Sequence, residues 1–317
     1  QQTNYTGQYR GVYPIKVNQQ QQVIEEVARF GREFHHGFEA GSKAELIAAI
    51  GNMTDPDACL VCNGYKDEEF IDLGLYATKL GIKCILVVEM PGEVPVIVER
   101  SKALGIRPNI GLRMKLSTRA GGQWTDSGGD RSVFGLNTAE LITIVDQIRD
   151  AGMLDCLKLL HYHIGSQIPN IRDIRAGVIE ACRVYCGLVE EGAPMGYLDL
   201  GGGLAVDYDG SHTNYHASKN YTLDEYCVDI IEAVAETLNV KNIPHPNIIT
   251  ESGRATVAYY SVLLFNILDV TCFDPPKISP KVPEDANEMT KDLMNILGTI
   301  TTKNLQEGYH DAIYYRD

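Results

Sequence analysis

Short apolar runs alternate with longer amphipathic stretches along most of this chain. The apolar runs predict eight β-strands, at about residues 11–16, 36–40, 59–63, 84–89, 110–115, 158–164, 197–201 and 247–251. The stretches between them have helical spacing and predict seven helices, at residues 19–31, 42–51, 67–80, 94–104, 138–151, 171–191 and 222–238. Strands that alternate with helices in this way are typical of a parallel α/β architecture.

The number of strands favours a closed (β/α)8 TIM barrel over an open doubly wound sheet, because eight parallel strands close a barrel. Polar sequence signatures follow the first, sixth, seventh and eighth predicted strands. A barrel brings the carboxyl ends of all its strands to one mouth, whereas an open sheet would spread these four signatures apart. We therefore predict a barrel.

The pattern changes after the eighth strand and indicates a second region. We predict the barrel at residues 1–257, and the start of a β-domain with a partial helical insertion at residues 258–317. The apolar, β-branched run at 258–270 resembles a strand that leaves the barrel, and the proline-rich stretch at 274–284 is typical of a linker. The glycine-rich stretch at 117–135 predicts an active-site loop.

The composition is that of a folded globular protein and argues against two kinds of partner, nucleic acids and membranes. The 317 residues are 44% hydrophobic and 22% charged, which is ordinary for a folded globular chain. The net charge of −14 argues against a nucleic-acid partner, because phosphate backbones bind basic surfaces. No apolar stretch approaches the roughly 20 residues of a membrane span, so we expect no membrane partner. The eight scattered cysteines suggest free thiols in a reducing compartment, and hence the cytoplasm.

Two pairs of residues have spacings found in metal sites. Cys59 and Cys62 have CxxC spacing, but no second pair or nearby histidine completes a zinc site, so we expect two buried small hydrophobes. His212 and His216 lie in a polar stretch, where we expect solvated loop histidines. The sequence therefore assigns no metal ligand.

Four polar signatures together indicate a pyridoxal-phosphate site. They are residues 13–16 (YPIK), 161–166 (HYHIGS), 198–203 (LDLGGG) and 251–254 (ESGR). This cofactor needs an amine to hold its aldehyde, a cover for its ring, a cradle for its phosphate and a partner for its pyridine nitrogen. A lysine, a histidine, a glycine turn and an acid–arginine pair supply these four groups.

Each assignment has an ordinary structural alternative. Lys16 would project from the barrel mouth, although an isolated lysine at a strand end is usually a surface residue. The glycines at 201–203 would let backbone N–H groups approach an anion, or form a plain tight turn, and Arg254 would complete a phosphate clamp. Glu251 would keep the pyridine nitrogen protonated, so that the ring accepts the electron pair released with CO₂. The alternative for Glu251 and Arg254 is an ion pair at a helix start.

Two histidines lie on the sixth predicted strand. His161 and His163 alternate with Tyr162, so both could face the lumen. His163 would stack on the cofactor ring, with Ser166 available to the phosphate. A core histidine is the alternative for either position.

In this order the four signatures resemble the fold-type III pyridoxal-phosphate decarboxylases, which have an alanine-racemase-like barrel and include ornithine, diaminopimelate and arginine decarboxylases. Longer stretches are similar to the biosynthetic arginine decarboxylases. These are YRGVYPIKVNQ at 9–19, EAGSKAEL at 39–46, VCNGYKD at 61–67, SGG at 127–129 and NIRDI at 170–174. They span almost the whole chain to about residue 270, and residues 309–312 fit a helical insertion more loosely.

The resemblance implies roles for individual residues. Lys16, His163 and Glu251 would be catalytic. The residues implied in cofactor binding are Lys16, Arg113, His163, Ser166, Gly201, Gly202, Gly203, Glu251, Gly253 and Arg254. The residues implied in substrate binding are Leu198, Asp199, Leu200, Gly201, Gly202, Gly203, Leu204, Ala205, Val206, Asp207 and Tyr208.

The resemblance also implies an activity and partners. It implies decarboxylation of L-arginine to agmatine and CO₂ for putrescine and spermidine biosynthesis, in a homodimer or higher oligomer with shared active sites. It implies pyridoxal 5′-phosphate as cofactor and allows Mg²⁺. The alternatives are a decarboxylase for ornithine or diaminopimelate, and a non-catalytic regulatory protein that binds pyridoxal phosphate. Retention of Lys16, Glu251 and Arg254 argues against the non-catalytic alternative.

This sequence departs from the family pattern in one feature. The resemblance implies a Cys-Asp pair, in a C-terminal β-domain, that reaches into the partner's site. Cys272 and Asp274 have a different spacing and lie too early in the chain. The chain begins with Gln1 rather than methionine and stops in mid-pattern, so we expect the gene product to continue at both ends. We therefore expect this chain alone to bind the cofactor weakly and to decarboxylate arginine negligibly.

Overall fold

A computed structural model describes residues 4–118, 132–272 and 281–316. It forms the predicted β-strands in the predicted order. They are β1 Val12–Pro14, β2 Gly37–Ala40, β3 Cys59–Cys62, β4 Lys83–Val88, β5 Asn109–Met114, β6 Leu157–Tyr162, β7 Tyr197–Asp199 and β8 Asn247–Ile249. The strands are short and buried, as expected where side chains are covered on both faces of a parallel sheet.

The eight strands form one parallel sheet in sequence order, and its ends meet. The segment just before β1 pairs with β8: Arg10 donates its backbone N–H to Ile248 O at 2.8 Å, and Val12 donates to Thr250 O at 3.0 Å. Tyr9 and Ile248 form a parallel bridge at the same place. The (β/α)8 TIM barrel is confirmed, and the open sheet is excluded.

Helices follow the strands on the outside of the barrel. They are α1 Gln21–Gly31, α2 Lys43–Asn52, α3 Glu68–Lys79, α4 Glu93–Leu104, α5 Thr138–Asp150, α6 Ile171–Glu190, α7 Leu223–Asn239 and the short α8 Gly253–Val257. Complete capping boxes begin α5, through Asn137 and Glu140, and α7, through Thr222 and Glu225. At α2 only half of a capping box is formed: Ser42 accepts from Glu45 N, but the Glu45 carboxylate accepts from Gly41 N at 2.8 Å rather than from Ser42 N.

The apolar core has two parts. A large cluster fills the space between the sheet and the helices, and a small cluster fills the barrel. The small cluster consists of Val12, Cys59, Val61, Ile85, Val87, Leu159 and Ile249, with Tyr197 packed against it. Cys59 and Cys62 are buried free thiols, as expected. This apolar packing fills the lumen below the mouth of the barrel.

The chain divides into two compact units, Gln1–Val262 and Leu263–Asp317. In the second unit the described residues form α9 Glu288–Thr299 and α10 Leu305–Arg316. The expected strand at 258–270 is not formed: a turn follows α8, and residues 261–272 have no regular secondary structure. The reason is physical, since a strand needs a neighbour for its backbone and the described residues provide none there.

Two expected connections lie largely outside the described residues. The loop predicted at 117–135 includes 119–131, and the linker predicted at 274–284 includes 274–280. Asp274, which was compared above with the aspartate of the family's Cys-Asp pair, is also outside the described residues. Within the described part of the chain, no helix is long and apolar enough to cross a membrane.

Candidate active site

Every strand of the barrel delivers a polar side chain to its carboxyl end. In strand order these side chains are Lys16, Glu39, Asn63, Glu89, Arg113, His161, Asp199 and Glu251. Six of the eight are essentially buried: the exposed fraction is 0% for Glu39 and Asp199, 1% for Glu89 and His161, 5% for Asn63 and 6% for Glu251. Buried ionisable groups are unusual unless they are paired, and they concentrate where a protein does chemistry.

A cavity of about 370 Å³ opens above this polar layer. It is lined by residues from all four sequence signatures: Pro14, Lys16, His163, Gly165, Ser166, Gly202, Gly203, Glu251, Ser252, Gly253 and Arg254. Its volume falls in the range of roughly 300–1,000 Å³ that is usual for small-molecule sites. The barrel therefore brings the four signatures to one place.

Lys16 stands in a 3₁₀ turn directly after β1, and 57% of its side chain is exposed toward the cavity mouth. Its Nζ lies 3.1 Å and 3.3 Å from the two carboxylate oxygens of Glu39, which is fully buried. Burial opposes the charge on Lys16, but Glu39 and then Glu251 outweigh it and raise the pKa of the lysine. Lys16 is thus an amine that a ligand can reach, and the Glu39 carboxylate helps to set its pKa.

Glu251 follows β8 and is buried beneath the cavity. Asn63 donates its side-chain N–H to Glu251 Oε1 at 2.7 Å, and the same amide donates to Glu39 at 3.2 Å. Burial, and then the neighbouring Asp199, raise the pKa of Glu251. Asn63 therefore fixes the position of this carboxyl group and ties it to the carboxylate that pairs with Lys16.

His161 and Asp199 lie next to Glu251 on β6 and β7. His161 Nδ1 is 3.0 Å from Asp199 Oδ2 and 3.7 Å from Glu251 Oε1. Burial raises the pKa of Asp199 to about 7 and lowers the pKa of His161. The floor of the cavity therefore consists of ionisable groups that are shielded from solvent.

The glycine turn after β7 brings bare backbone to the cavity. Gly201 and Gly203 have φ angles of +63° and +112°, which side chains with a Cβ rarely adopt. A Cβ on Gly202 would lie 3.3 Å from His163 Cε1 and 3.4 Å from the carbonyl oxygen of Glu251. Asp199 Oδ1 accepts from Gly201 N at 2.9 Å and holds the turn. A flat group can approach this backbone closely.

Arg254 lies in the first turn of α8, beside the glycines. It donates to Ser166 Oγ at 3.1 Å and to Tyr208 Oη at 3.2 Å. Its Nε is buried and has no hydrogen-bond partner in the described structure. A Cβ on Gly253 would lie 2.6 Å from both Pro14 Cγ and Val17 Cγ2, so this glycine lets α8 approach the end of β1. The guanidinium, the hydroxyl and the bare backbone form a place for an anion.

His163 lies at the cavity wall, between the glycine turn and the polar floor. Gly202 N approaches His163 Nδ1 at 3.4 Å. Burial, and then Arg113, lower the pKa of His163 to about 3, so the ring is neutral at physiological pH. A neutral aromatic face is suited to stacking against a flat ligand.

Arg113, on β5, is not among the residues that line this cavity. Its guanidinium lies 3.1 Å from Glu89 Oε1, which also accepts from Gly64 N at 2.8 Å. Burial opposes ionisation of Glu89, but Arg113, Lys66 and the hydrogen bond from Gly64 together outweigh it, and the pKa of Glu89 is lowered. Arg113 thus faces the site from a fixed ion pair in the polar layer.

The implied substrate segment 198–208 divides between core and cavity. Gly202, Gly203, Leu204 and Tyr208 line the cavity. Leu198, Leu200, Ala205 and Val206 are buried apolar residues and are not among its lining residues. Asp207 Oδ1 accepts from Ser218 Oγ at 2.6 Å, and Asp207 Oδ2 lies 3.0 Å from His212. His216 packs against the ring of Tyr215.

Sequence reasoning did not single out Glu39, Asn63 or Glu89. Each has the same signal, which is a polar residue at the end of an apolar run, as in FEA at 38–40, VCN at 61–63 and VVE at 87–89. In a parallel barrel those positions converge at one mouth. Applied to every predicted strand, that rule would have found all three residues.

Comparisons with known proteins agree with this geometry. A family model described as "Pyridoxal-dependent decarboxylase, pyridoxal binding domain" matches residues 1–258. The biosynthetic arginine decarboxylase of Thermosynechococcus vestitus is 47% identical over 314 residues, which are 98% of this chain and 49% of that protein. The corresponding enzyme of Deinococcus radiodurans is 45% identical over 98% of this chain and 47% of its own length. The chain thus spans about half the length of the curated relatives it matches.

Solved structures have the same fold. The crystal structure of the biosynthetic arginine decarboxylase from Campylobacter jejuni has a TM-score of 0.73 at 30% identity, covering 98% of this chain and 51% of that one. Diaminopimelate decarboxylase from Helicobacter pylori has a TM-score of 0.63 at 21% identity, covering 79% and 58%. Because the family match extends over the barrel and all four signatures, this chain belongs to the pyridoxal-dependent decarboxylases, as their pyridoxal-binding domain.

Proposed function

We propose that the chain is the cofactor-binding half of a pyridoxal-phosphate-dependent carboxy-lyase that converts L-arginine to agmatine and CO₂. The observation that carries the proposal is that Lys16, Glu251 and the Arg254 anion site line one cavity. An amine, a buried carboxyl group and an anion cradle are the three partners that pyridoxal phosphate requires.

The donor set fits the cofactor at its phosphate end. Arg254 and Ser166 offer N–H and O–H donors, and the buried Nε of Arg254 has no partner in the described structure. The glycines at 201–203 present backbone without side chains, and a Cβ at Gly202 or Gly203 would meet His163 Cε1 at 3.3 Å or Ile164 Cγ2 at 3.0 Å. We assign Ser166, Gly201–Gly203, Gly253 and Arg254 to phosphate binding.

The other three residues act on the reactive end. When bound, pyridoxal phosphate supplies a sink for the electron pair that is released as CO₂ leaves. The Lys16 amine would hold the aldehyde end of the cofactor and release it when the substrate amine takes its place. The Glu251 carboxylate would hold a proton at the pyridine nitrogen, and the neutral ring of His163 would lie against the cofactor ring and exclude water. Arg113 forms an ion pair with the Glu89 carboxylate next to these residues.

Arginine is the proposed substrate because the long sequence stretches are those of the biosynthetic arginine decarboxylases. Agmatine is a precursor of putrescine and spermidine, so we place the reaction in polyamine biosynthesis, with residues Leu198–Tyr208 beside the substrate. We further propose a homodimer or higher oligomer in the cytoplasm, where the eight free cysteines would stay reduced. Mg²⁺ is an expectation from the resemblance alone, and the proposed chemistry does not need it.

A decarboxylase for ornithine or diaminopimelate is the alternative, since the same cofactor site would serve it. The test uses the whole protein that contains this chain, purified with pyridoxal phosphate. Borohydride reduction and peptide mapping should place the cofactor on Lys16. CO₂ release should then be measured with arginine, ornithine, lysine and diaminopimelate. A label on another lysine rejects the site, and turnover of one of the other amino acids in preference to arginine rejects the substrate.

A further inference from the structure

Three buried ionisable groups lie together beneath the cavity: His161, Asp199 and Glu251, here called the buried triad. Their nearest polar atoms all lie within 4.8 Å of one another. The exposed fractions of the three side chains are 1%, 0% and 4%. With so little solvent, a charge on one member has to be balanced by the others or by their immediate neighbours.

The hydrogen bonding of the buried triad leaves two atoms unsatisfied. Glu251 Oε1 accepts from Asn63, and Asp199 Oδ1 accepts from Gly201 N. Asp199 Oδ2 and His161 Nδ1 have no hydrogen-bond partner, although they lie 3.0 Å apart. A proton on Nδ1 of a neutral His161 would satisfy both atoms, but it would leave two ionised carboxylates, Asp199 and Glu251, side by side without solvent. One further proton held between the two carboxyl groups would remove that conflict.

The charges around the buried triad do not supply a counter-ion for Asp199. The ionisable groups that face the triad are Lys16, Glu39, Glu89, Arg113 and His163. Lys16 is paired with Glu39 at 3.1 Å, and Arg113 with Glu89 at 3.1 Å. The other groups near Asp199 are Tyr9, Cys59, Tyr162 and Tyr226, whose pKa values burial raises, so they are neutral.

We propose that the buried triad holds one shared proton and carries a single negative charge, which Asp199 and His161, as positioning residues, present to the cofactor through Glu251. The part that concerns the cofactor rests on the proposed function. The ionisation behaviour agrees: burial raises the pKa of Asp199 to about 7, and burial and Asp199 raise the pKa of Glu251. The proton belongs to the pair of carboxyl groups rather than to either one.

A single charge has a chemical purpose. One negative charge matches one protonated pyridine nitrogen. A second charge in the same place would also act on Lys16, whose pKa Glu251 already helps to raise. It would hold the amine in its protonated, unreactive form. With one proton shared, the buried triad can balance the charge on the ring nitrogen without adding a second negative charge that would keep Lys16 protonated.

Two substitutions at Asp199 separate the shared proton from a simple structural role. In Asp199→Asn, the amide oxygen can still accept from Gly201, and the amide N–H can donate to Glu251, as a protonated carboxyl group would. We expect Asp199→Ala to lose at least about 30-fold in kcat and Asp199→Asn to lose several-fold less, because the amide keeps both hydrogen bonds. An Asp199→Asn enzyme as slow as Asp199→Ala would overturn the proposal, because the charge on Asp199 would then be required.

The decisive measurement is infrared spectroscopy of the protein without cofactor or substrate, so it stays informative even if the proposed reaction is wrong. The wild type should show a band from protonated carboxyl groups at about pH 6 that fades as the pH passes about 7. Glu39 contributes to the same band, because burial and then Glu251 raise its pKa to about 7, and Glu39→Gln identifies its share. Asp199→Asn should remove the share of the buried triad.

The matched control is Glu180→Gln. Burial opposes ionisation of Glu180, but its hydrogen bonds with Thr118 and Ser117 outweigh it and lower the pKa, so this change should leave the band unaltered. Glu251→Gln breaks the carboxyl pair from its other side and serves if Asp199→Asn does not fold; it should remove the same share. A carboxyl band that is identical in wild type and in the pair variants would overturn the shared proton.

Discussion

Lys16 and Glu39 form the ion pair that decides when the lysine is reactive. Glu39 is fully buried, whereas 57% of the Lys16 side chain is exposed, so the carboxylate is the fixed partner and the amine the mobile one. The raised pKa of Lys16 keeps the amine protonated over most of the physiological range. Capture of an aldehyde requires the neutral amine, so capture should become faster as the pH rises.

Replacing Glu39 with Gln should move that pH dependence. The amide removes the attraction that raises the pKa of Lys16, so a larger fraction of the amine is neutral at a given pH. The midpoint of cofactor capture, followed by absorbance against pH, should move down by about 1 unit. Glu69→Gln, which alters the exposed pair with Lys43, is the control and should leave the midpoint in place. An unmoved midpoint in Glu39→Gln would show that Glu39 does not govern Lys16.

Replacing Glu251 with Gln tests the ring-nitrogen partner. A neutral amide cannot hold the positive charge on the pyridine nitrogen, but it can keep the hydrogen bond from Asn63. We expect the cofactor to stay bound while kcat falls at least about 100-fold, a loss of about 3 kcal/mol in the barrier. Steady-state kinetics and the cofactor absorbance should be measured on the same preparation. Near-normal turnover would remove Glu251 from the mechanism.

At the scale of elements, α8 is held against the end of β1 by the lack of a side chain at Gly253. A Cβ there would lie 2.6 Å from Pro14 Cγ and from Val17 Cγ2, on either side of Lys16. Gly253 thus couples the Arg254 side of the cavity to the Lys16 side. Neither strand nor helix could shift without moving one end of the site.

Gly253→Ala should therefore weaken cofactor binding by at least about 10-fold, because the methyl group separates Arg254 from Lys16. Gly51→Ala is the matched control, since a Cβ at this helical glycine meets no atom within 4 Å. The control should bind the cofactor normally and gain up to about 1 kcal/mol in stability. Both can be measured by cofactor titration and thermal unfolding. Equal affinity in the two variants would contradict the close-approach argument.

The strands were predictable because both their faces are covered, so each is a nearly unbroken apolar run such as CLVC at 59–62. The four signatures were predictable because Lys16, His163, Gly201–Gly203 and Glu251 form short groups with a shared chemistry. The ion pairs that tune them could not be predicted, since Glu39 meets Lys16 only after β1 and β2 pair in register. The run at 258–270 also misled, because β-branched composition alone does not provide a strand partner.

For the whole molecule, closure of the barrel depends on a few residues before β1. Ile248 N donates to Gln8 O at 2.8 Å, Arg10 N donates to Ile248 O at 2.8 Å, and Tyr9 Oη lies 2.8 Å from Thr250 Oγ1. These contacts all belong to the unit Gln1–Val262. The sheet is therefore completed by its own first segment.

Two deletions compare the importance of the chain ends for the barrel. Removing residues 1–10 opens the sheet between β1 and β8 and should lower the melting temperature by more than about 5 °C. Removing residues 263–317 leaves every closing hydrogen bond in place and should change the barrel's melting temperature by less than about 2 °C. Circular dichroism during heating measures both. A barrel that unfolds equally early in both deletions would contradict this account of closure.

The polar layer at the mouth has a consequence for the order of folding. Each strand contributes one group to it, and a slip of one residue in any strand would turn that group from the lumen into the helical layer. No partial barrel therefore possesses the site. The cofactor should bind only after the last strand has joined, and its binding energy then stabilises the complete chain and no shorter intermediate. Binding of pyridoxal phosphate would therefore report that all eight strands have paired in the correct register.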